Sequence, residues 1–226
     1  MAKPLPWSFS ALNSFVGCPH RHYEVKVLKN FPDEPGEAAK WGTYVHLCIE
    51  NFIKDGTPLP DNAKIYAPQA GLAISPSINS NMKVLAEQPM ALNHKFEPCS
   101  WKDGWVRGII DLLMLGDTYA WAVDWKLGKV KPDSNQLKLF ALMVFHHYPK
   151  IQEVYTSFEW LQFNQRTEET YYRAQIPELW NVFLSDLKQY AQAFRTDTWQ
   201  KRPSGLCKNF CPVTTCEHCG GTKWKR

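Results

Sequence analysis

Two neighbouring segments, Gly108-Ile-Ile-Asp-Leu-Leu-Met-Leu115 and Trp121-Ala-Val-Asp-Trp-Lys126, decide how this 226-residue chain folds. Strands are expected over 105–115 and 119–126, because both stretches are short, apolar and rich in β-formers, and Gly116-Asp117 between them signals a hairpin. Each strand nevertheless carries charge in a core-like setting: Asp111 in the first, Asp124 and Lys126 in the second. Burying charge is costly unless it is paired or binds metal. A turn centred on Gly116-Asp117 sets Asp111 opposite Ala122, so Asp111, Asp124 and Lys126 share one face. The carboxylates are then diagonal neighbours, roughly 7–8 Å apart at the backbone. Reaching inward, they can share one Mg²⁺, while Lys126 orients or deprotonates a water or stabilises a phosphate oxygen. The competing reading is a surface hairpin with an Asp–Lys ion pair.

Outward from the hairpin, 133–148 has a helical pattern with Leu137, Phe140, Ala141 and Val144. Two strands near 151–163 and 169–176 flank a polar turn at 164–168, and Pro177 opens a long helix to about 198. Upstream, Ser10 is a candidate N-cap for a first helix and Pro19 starts a second. Residues 36–54 read as a long helix with Trp41, Val45, Cys48, Ile49 and Phe52 on one face, stopped by Gly56. Residues 55–75 read as a loop and about 77–87 as a short helix before Pro89. The order predicts one α/β domain over 1–226, a central mixed sheet flanked by helices. A helical N-terminal segment and a Cys-rich tail over 199–226 are added, the tail packing on the N-terminal helices.

Hydrophobic residues make up 44% and charged residues 21%, which excludes disordered and fibrous classes. The longest apolar run, 139–145, is far short of the ~20 residues of a membrane span, so no membrane partner is expected. The opening MAKPLPWSFS has no apolar leader, which points to the cytoplasm, bacterial or of a phage-infected host. The formal charge of +4 is concentrated in the tail. Lys201, Arg202 and Lys208, with Lys223, Lys225 and Arg226, are candidate DNA-phosphate contacts, or else a solvated end.

Taken together, Gly108-Ile-Ile-Asp111, Val123-Asp124-Trp125-Lys126 and Gln136 with Phe140 four residues on resemble the PD-(D/E)xK nuclease superfamily, specifically its RecB-like branch. That branch also places Gly-x-x-x-His on an earlier helix, as in Gly42-Thr-Tyr-Val-His46. It often begins with a Ser-rich helix leading into Cys-Pro and an aromatic, like Ser10 through Cys18-Pro19 and Tyr23 here. The likeness runs from Ser10 to Cys216. It implies a restriction-endonuclease-like core, with Asp111, Asp124, His46 and the Trp125 carbonyl holding Mg²⁺ or Mn²⁺. Lys126 would be the catalytic lysine and Gln136 would position DNA. The branch often has Tyr where this chain has Phe140, so a polar role is lost there while stacking or packing survives.

Cys207-x3-Cys211-x4-Cys216-x2-Cys219 is a dense metal-type spacing for a reducing compartment. Zinc can take the four tail cysteines, with Cys216-x-x-Cys219 as a knuckle. A 4Fe-4S cluster can instead take Cys207, Cys211 and Cys216 with the distant Cys18. The AddB-type and CRISPR-adaptation relatives have that arrangement, though they commonly leave two residues, not three, between the first two tail cysteines. Disulfides or free thiols are the third possibility, and Cys48 and Cys99 read as packing residues.

The expected function is a metal-dependent DNA nuclease, an exonuclease in recombination, repair or phage replication. The alternatives are a CRISPR-adaptation nuclease trimming DNA ends, a non-catalytic DNA-end-binding module, and a redox sensor built on the tail. The intact Asp111, Asp124 and Lys126 set argues against the binding module. No Gly-x-x-x-x-Gly-Lys motif is present, so a helicase, or a single-strand annealing or binding protein, is the expected partner.

Overall fold

The computed structural model describes residues 5–32, 34–78, 80, 82–132 and 134–219. In chain order the elements are β1 (Trp7–Ser8), α1 (Phe9–Gly17), α2 (Pro19–His22), α3 (Glu37–Asp55), α4 (Ala67–Ile78), β2 (Lys83–Leu92), β3 (Val106–Leu115), β4 (Tyr119–Lys126), α5 (Asn135–His147), β5 (Glu153–Trp160), β6 (Gln165–Tyr172) and α6 (Ile176–Thr196). They form two compact units, one built on Gly36–Val182, the other on Trp7–Pro35 with the described residues from Phe183 onward. No described helix is long and apolar enough to cross a membrane.

In the larger unit five strands pair in the order β2-β3-β4-β5-β6. All neighbours are antiparallel except β4 and β5, which are parallel. A parallel pair needs a crossover, and α5 supplies it. Leu137 and every residue from Leu139 to Phe145 are buried, as expected of a helix that is apolar all round. On α3 and α4, Val45, Ile49, Ala70 and Ala73 pack with Leu112, Met114, Val123 and Trp125 of the sheet into one core. Gly56 ends α3 in the left-handed conformation, φ 76°.

The hairpin register differs from the sequence expectation. Leu113 faces Ala122 and Leu112 faces Val123, because the turn lies one residue later, over Asp117-Thr118, closed by Gly116 N–H donating to the Tyr119 carbonyl at 2.9 Å. The Tyr119 ring fills the space a side chain at Gly116 would need, 3.0 Å from its Cβ position. Moving the turn by one residue shifts each partner by two, which preserves the pleat. Continued by one step, this register sets Asp111 opposite Asp124 rather than diagonal to it.

Four further expectations are corrected. The expected loop over 55–75 contains most of α4, which Pro68 in its first turn and Pro76 in its last disguise. The expected helix over 77–87 starts in the last residues of α4 and ends in β2, whose Ala, Glu and Gln favour helix until pairing with β3 overrides propensity. Pro89 is tolerated because β2 pairs on one side only. The polar run expected as a turn at 164–168 is largely β6, an edge strand whose Gln165, Arg166, Glu168 and Glu169 face solvent. Ser8, not Ser10, caps α1, its Oγ accepting from Ala11 N–H at 3.2 Å.

In the smaller unit, Phe15, His22, Tyr190, Phe194 and Trp199 form a mesh of edge-on ring contacts, and Tyr23 stacks on Trp199 at 4.3 Å. Burial within it, with Lys26 and Arg21 nearby, lowers the His22 pKa to about 4. Arg202 ties the segment after α6 to the first helices. Its guanidinium donates to the Val16 carbonyl at 2.6 Å and to Gln189 Oε1 at 3.1 Å, and its backbone N–H to Cys18 Sγ at 3.5 Å.

The packing of α3 sets up a stability contrast. Ile49 is fully buried in the core whereas Leu47, two residues earlier, is 51% exposed. Ile49→Ala should cost about 2–5 kcal/mol in urea unfolding, and Leu47→Ala no more than about 0.5 kcal/mol. Equal losses would show that this helix does not bury the face described.

Candidate active site

The β3–β4 ladder covers Leu112–Leu115 against Ala120–Val123 and then stops. Asp111 and Asp124 are the first residues beyond it, so the strands part where their acids begin. Trp125 stays in register with Glu159 of β5 but has no β3 partner at this fork, and two side chains take its place. Its N–H donates to Asp111 Oδ2 at 2.8 Å, and its carbonyl accepts from His46 Nε2 at 2.9 Å. A buried backbone amide must be satisfied, so the fork is built from the residues that line it.

These bonds fix the imidazole. A carbonyl only accepts, so Nε2 carries the proton and the other ring nitrogen of a neutral His46 is a lone pair. Burial lowers the His46 pKa and favours that neutral form, partly offset by the Asp124 charge. The Nδ1 lone pair then lies 3.4 Å from Asp111 Oδ2. Asp111 Oδ2 also accepts from Trp125, and the gap to Nδ1 is one that a proton on the acid or a bound cation bridges. The Trp125 carbonyl keeps a second lone pair beyond the one His46 uses.

Asp124 turns the other way. Its Oδ2 lies 2.5 Å from Lys126 Nζ, Lys126 donates to Gln136 Oε1 at 3.0 Å, and Gln136 Nε2 donates to Asp124 Oδ1 at 2.9 Å. This closed ring joins the end of β4 to the first turn of α5. The Phe158 ring lies 5.0 Å from the ammonium. Phe140 is buried and takes a packing role.

One residue escaped the sequence reading. Glu87 lies across β2 from Asp111 and joins it and His46 in a group whose ligand atoms all lie within 4.8 Å of one another. Its backbone is left-handed, φ 48°, and the β2–β3 register skips this position. Its signal was the one used for Asp111, an acid inside an apolar stretch, but a helical reading of that stretch hid it. Burial pushes the Glu87 carboxyl up, with Glu50 adding to the effect. Burial raises Asp111 well above the usual carboxylate range, reinforced by Asp124. Burial likewise raises Asp124, against the pull of Lys126. Clustered carboxylates and one imidazole make a hard donor set suited to Mg²⁺ or Mn²⁺. A cleft of about 880 Å³ opens beside them, lined by Trp41, Gly42 and His46 of α3, Glu87, and the chain from Trp125 to Gly128.

The tail residues are placed differently from the acids. Lys201 pairs with Glu217 at 2.6 Å on the surface, and Arg202 is held as described. Lys208 is exposed, while Lys223, Lys225 and Arg226 lie outside the described residues. Cys18, Cys207, Cys211, Cys216 and Cys219 line one small cavity of the smaller unit. Among the described residues, no three of their sulfurs come within 4.8 Å of one another. Cys48 packs against the core of the larger unit.

The sequence model of the PD-(D/E)xK nuclease superfamily matches residues 6–219. The chain belongs to that superfamily. Among curated proteins none matches. A solved structure of a candidate exonuclease from Eubacterium rectale is similar over 91% of this chain and 86% of its own, with 12% identity and a TM-score of 0.56. At that identity the likeness concerns the fold, a mixed sheet flanked by helices. SSO0001 aligns over 96% of this chain and 88% of its own, with 13% identity and a TM-score of 0.42.

For this PD-(D/E)xK member the raised carboxyl pKa values imply a cost of folding without metal. A carboxyl raised in the folded state holds its proton longer than in the unfolded chain, so stability falls as pH rises through that interval. Asp111→Asn should therefore raise the melting temperature in chelator at neutral pH, the advantage shrinking as pH drops toward 4. Mn²⁺ should stabilise the parent and not the variant. A variant that melts lower than the parent in chelator at neutral pH would refute the account.

Proposed function

We propose that the chain is a divalent-cation-dependent deoxyribonuclease, an exonuclease of the RecB-like branch acting on DNA ends in recombination, repair or phage replication. The observation that carries the reading is the convergence of ligand atoms of His46, Glu87 and Asp111 within 4.8 Å of one another, beside the Asp124–Lys126–Gln136 ring. His46, Asp111 and Asp124, with Glu87 and the Trp125 carbonyl at hand, would hold Mg²⁺ or Mn²⁺. When bound, the ion supplies Lewis-acid polarisation of the phosphoryl oxygen and a lowered pKa for water.

The chain's own residues do the rest. Lys126 has three N–H donors, two of them committed to Asp124 and Gln136. The third is free to donate to a non-bridging phosphate oxygen and to stabilise charge that grows as water attacks phosphorus. Gln136 fixes the direction of that donor, so it acts as a positioning residue. The exonuclease and branch assignments rest on the resemblance of the motifs.

For the tail we favour a 4Fe-4S cluster on Cys18, Cys207, Cys211 and Cys216 over zinc. A tetrahedral zinc site with bonds of about 2.3 Å brings its sulfurs to about 3.8 Å from one another. That no three of these sulfurs lie within 4.8 Å of one another is a looser spacing than such a zinc site has. Anaerobically purified protein should be brown, and Cys18→Ser should bleach it while Cys219→Ser does not. A colourless preparation with one zinc per chain, lost on Cys219→Ser, would reverse the preference.

End-labelled single- and double-stranded DNA, incubated with Mg²⁺, Mn²⁺ or chelator, tests the main reading. Linear DNA should be degraded only with metal, and covalently closed circles should survive. Asp111→Ala and Asp124→Asn should each reduce cleavage by at least a hundredfold without unfolding the protein. Activity within a few-fold of the parent, or activity in chelator, would sink the assignment.

A further inference from the structure

A second concave site lies at the other end of β4 from Asp124 and Lys126. Pro76 of α4, Tyr119 and Trp121 of β4, and Gln152, Glu153 and Tyr155 around the start of β5 line a cavity of about 370 Å³. Its rings stand at angles rather than in one layer. Trp121 and Tyr155 are 5.0 Å apart at 32°, and Tyr119 meets Tyr155 edge-on at 6.5 Å and 79°. Tyr119 and Trp121 pack against the core on one side, which fixes them, and line the cavity with the other. The Tyr155 hydroxyl donates to Glu153, and burial together with that bond holds the Tyr155 pKa up. A carboxylate is thus held at the rings, while no Lys, Arg or His lines the cavity. Aromatic faces with an acid and no base attract an organic cation and repel phosphate. This is no second nucleic-acid cleft.

The helix beside the cavity indicates where the cation comes from. From Ile65 to Met82 no residue is charged, in a chain of which 21% is. Pro68, Leu72 and Pro76 recur every four residues and so share one face of α4. Leu72 is 64% exposed, and Pro76 carries that face into the cavity. Ile65 and Ile78, at the two ends of the segment, are exposed as well. A helix face turned to water is ordinarily polar or charged, whereas a bare aliphatic one marks a contact surface. A free amine would leave this face uncovered. A protein segment covers the face and fills the cavity together.

We propose that α4 and the adjoining aromatic cavity dock a partner protein, which lays apolar residues along Pro68 and Leu72 and sets one arginine into the cavity, over Trp121 and Tyr155 and against Glu153. Arginine suits the cavity because its planar guanidinium stacks on rings while pairing with a carboxylate. The inference goes beyond the nuclease reading and stands without it, since the cavity shares no residue with the cleft at His46.

Nuclear magnetic resonance of the full chain tests it through the Trp121 indole N–H signal, identified by its loss in Trp121→Phe. The probes are a capped Ser-Leu-Arg-Leu-Ser peptide, its twin with uncharged citrulline in place of arginine, and free spermidine. The arginine peptide should bind at least about fivefold more tightly than its twin, and Glu153→Gln should abolish the difference. Leu72→Ser should weaken both peptides by at least about twofold while melting as the parent does, because the residue is exposed. Equal affinity for the two peptides, or a preference that survives Glu153→Gln, would overturn the proposal. Spermidine that binds more tightly than the arginine peptide and ignores Leu72→Ser would replace the partner protein with a free amine. A parent that sediments as a dimer, and as a monomer once Leu72→Ser is made, would give the face to a second copy of the chain instead.

Discussion

The end of the β3–β4 ladder at Leu112 and Val123 is the constraint on which the site depends. A sheet that continued would have paired the Trp125 amide with its neighbour and left no room for side chains between strands. Because the strands part, one backbone residue needs an acceptor and a donor from elsewhere, and Asp111 and His46 provide them. The same two hydrogen bonds aim a carboxylate and an imidazole at one point. Satisfying the backbone and assembling the candidate cation site are therefore one act of folding, and either would be lost with the other.

The fork also explains why two chemically different groups sit side by side. Asp111, Glu87 and His46 gather on one side with little but acceptors. Asp124 on the other side is tied to Lys126 and Gln136. One half is short of positive charge and the other has its cation built in. On the proposed reading, a phosphodiester between them would meet a divalent ion on one flank and a fixed ammonium on the other. The fold carries the cost, since burial opposes ionisation of both aspartates. Strain of this kind at a functional centre is a common trade of stability for activity.

Much of this was legible in the residues. Charges inside the apolar strands 106–115 and 119–126 could not be ordinary core, and their spacing survived an error in the turn because the pleat repeats every two residues. The α3 periodicity and its Gly56 stop were readable for the same reason. Glu87 was not legible, because Lys, Leu, Ala, Glu and Gln in one stretch favour a helix and only pairing with β3 makes it a strand. α4 was hidden by prolines at both ends. The contacts of Lys201 with Glu217 and of Arg202 with the Val16 carbonyl were also hidden, since nothing in a basic tail's sequence names its partners within the fold.

The bonds from Arg202 to Val16 and Cys18 have a consequence for how the chain is made. Cys18 and Arg202 are 184 positions apart, and the smaller unit draws on both ends of the polypeptide. Ribosomal synthesis at ~5–20 residues per second leaves the first helices waiting for about 10–40 s before their partners emerge. The larger unit is complete by then. Vectorial synthesis therefore orders assembly, the sheet first and the unit that unites the two ends last, with the aromatic rings of α1 unsheltered in between.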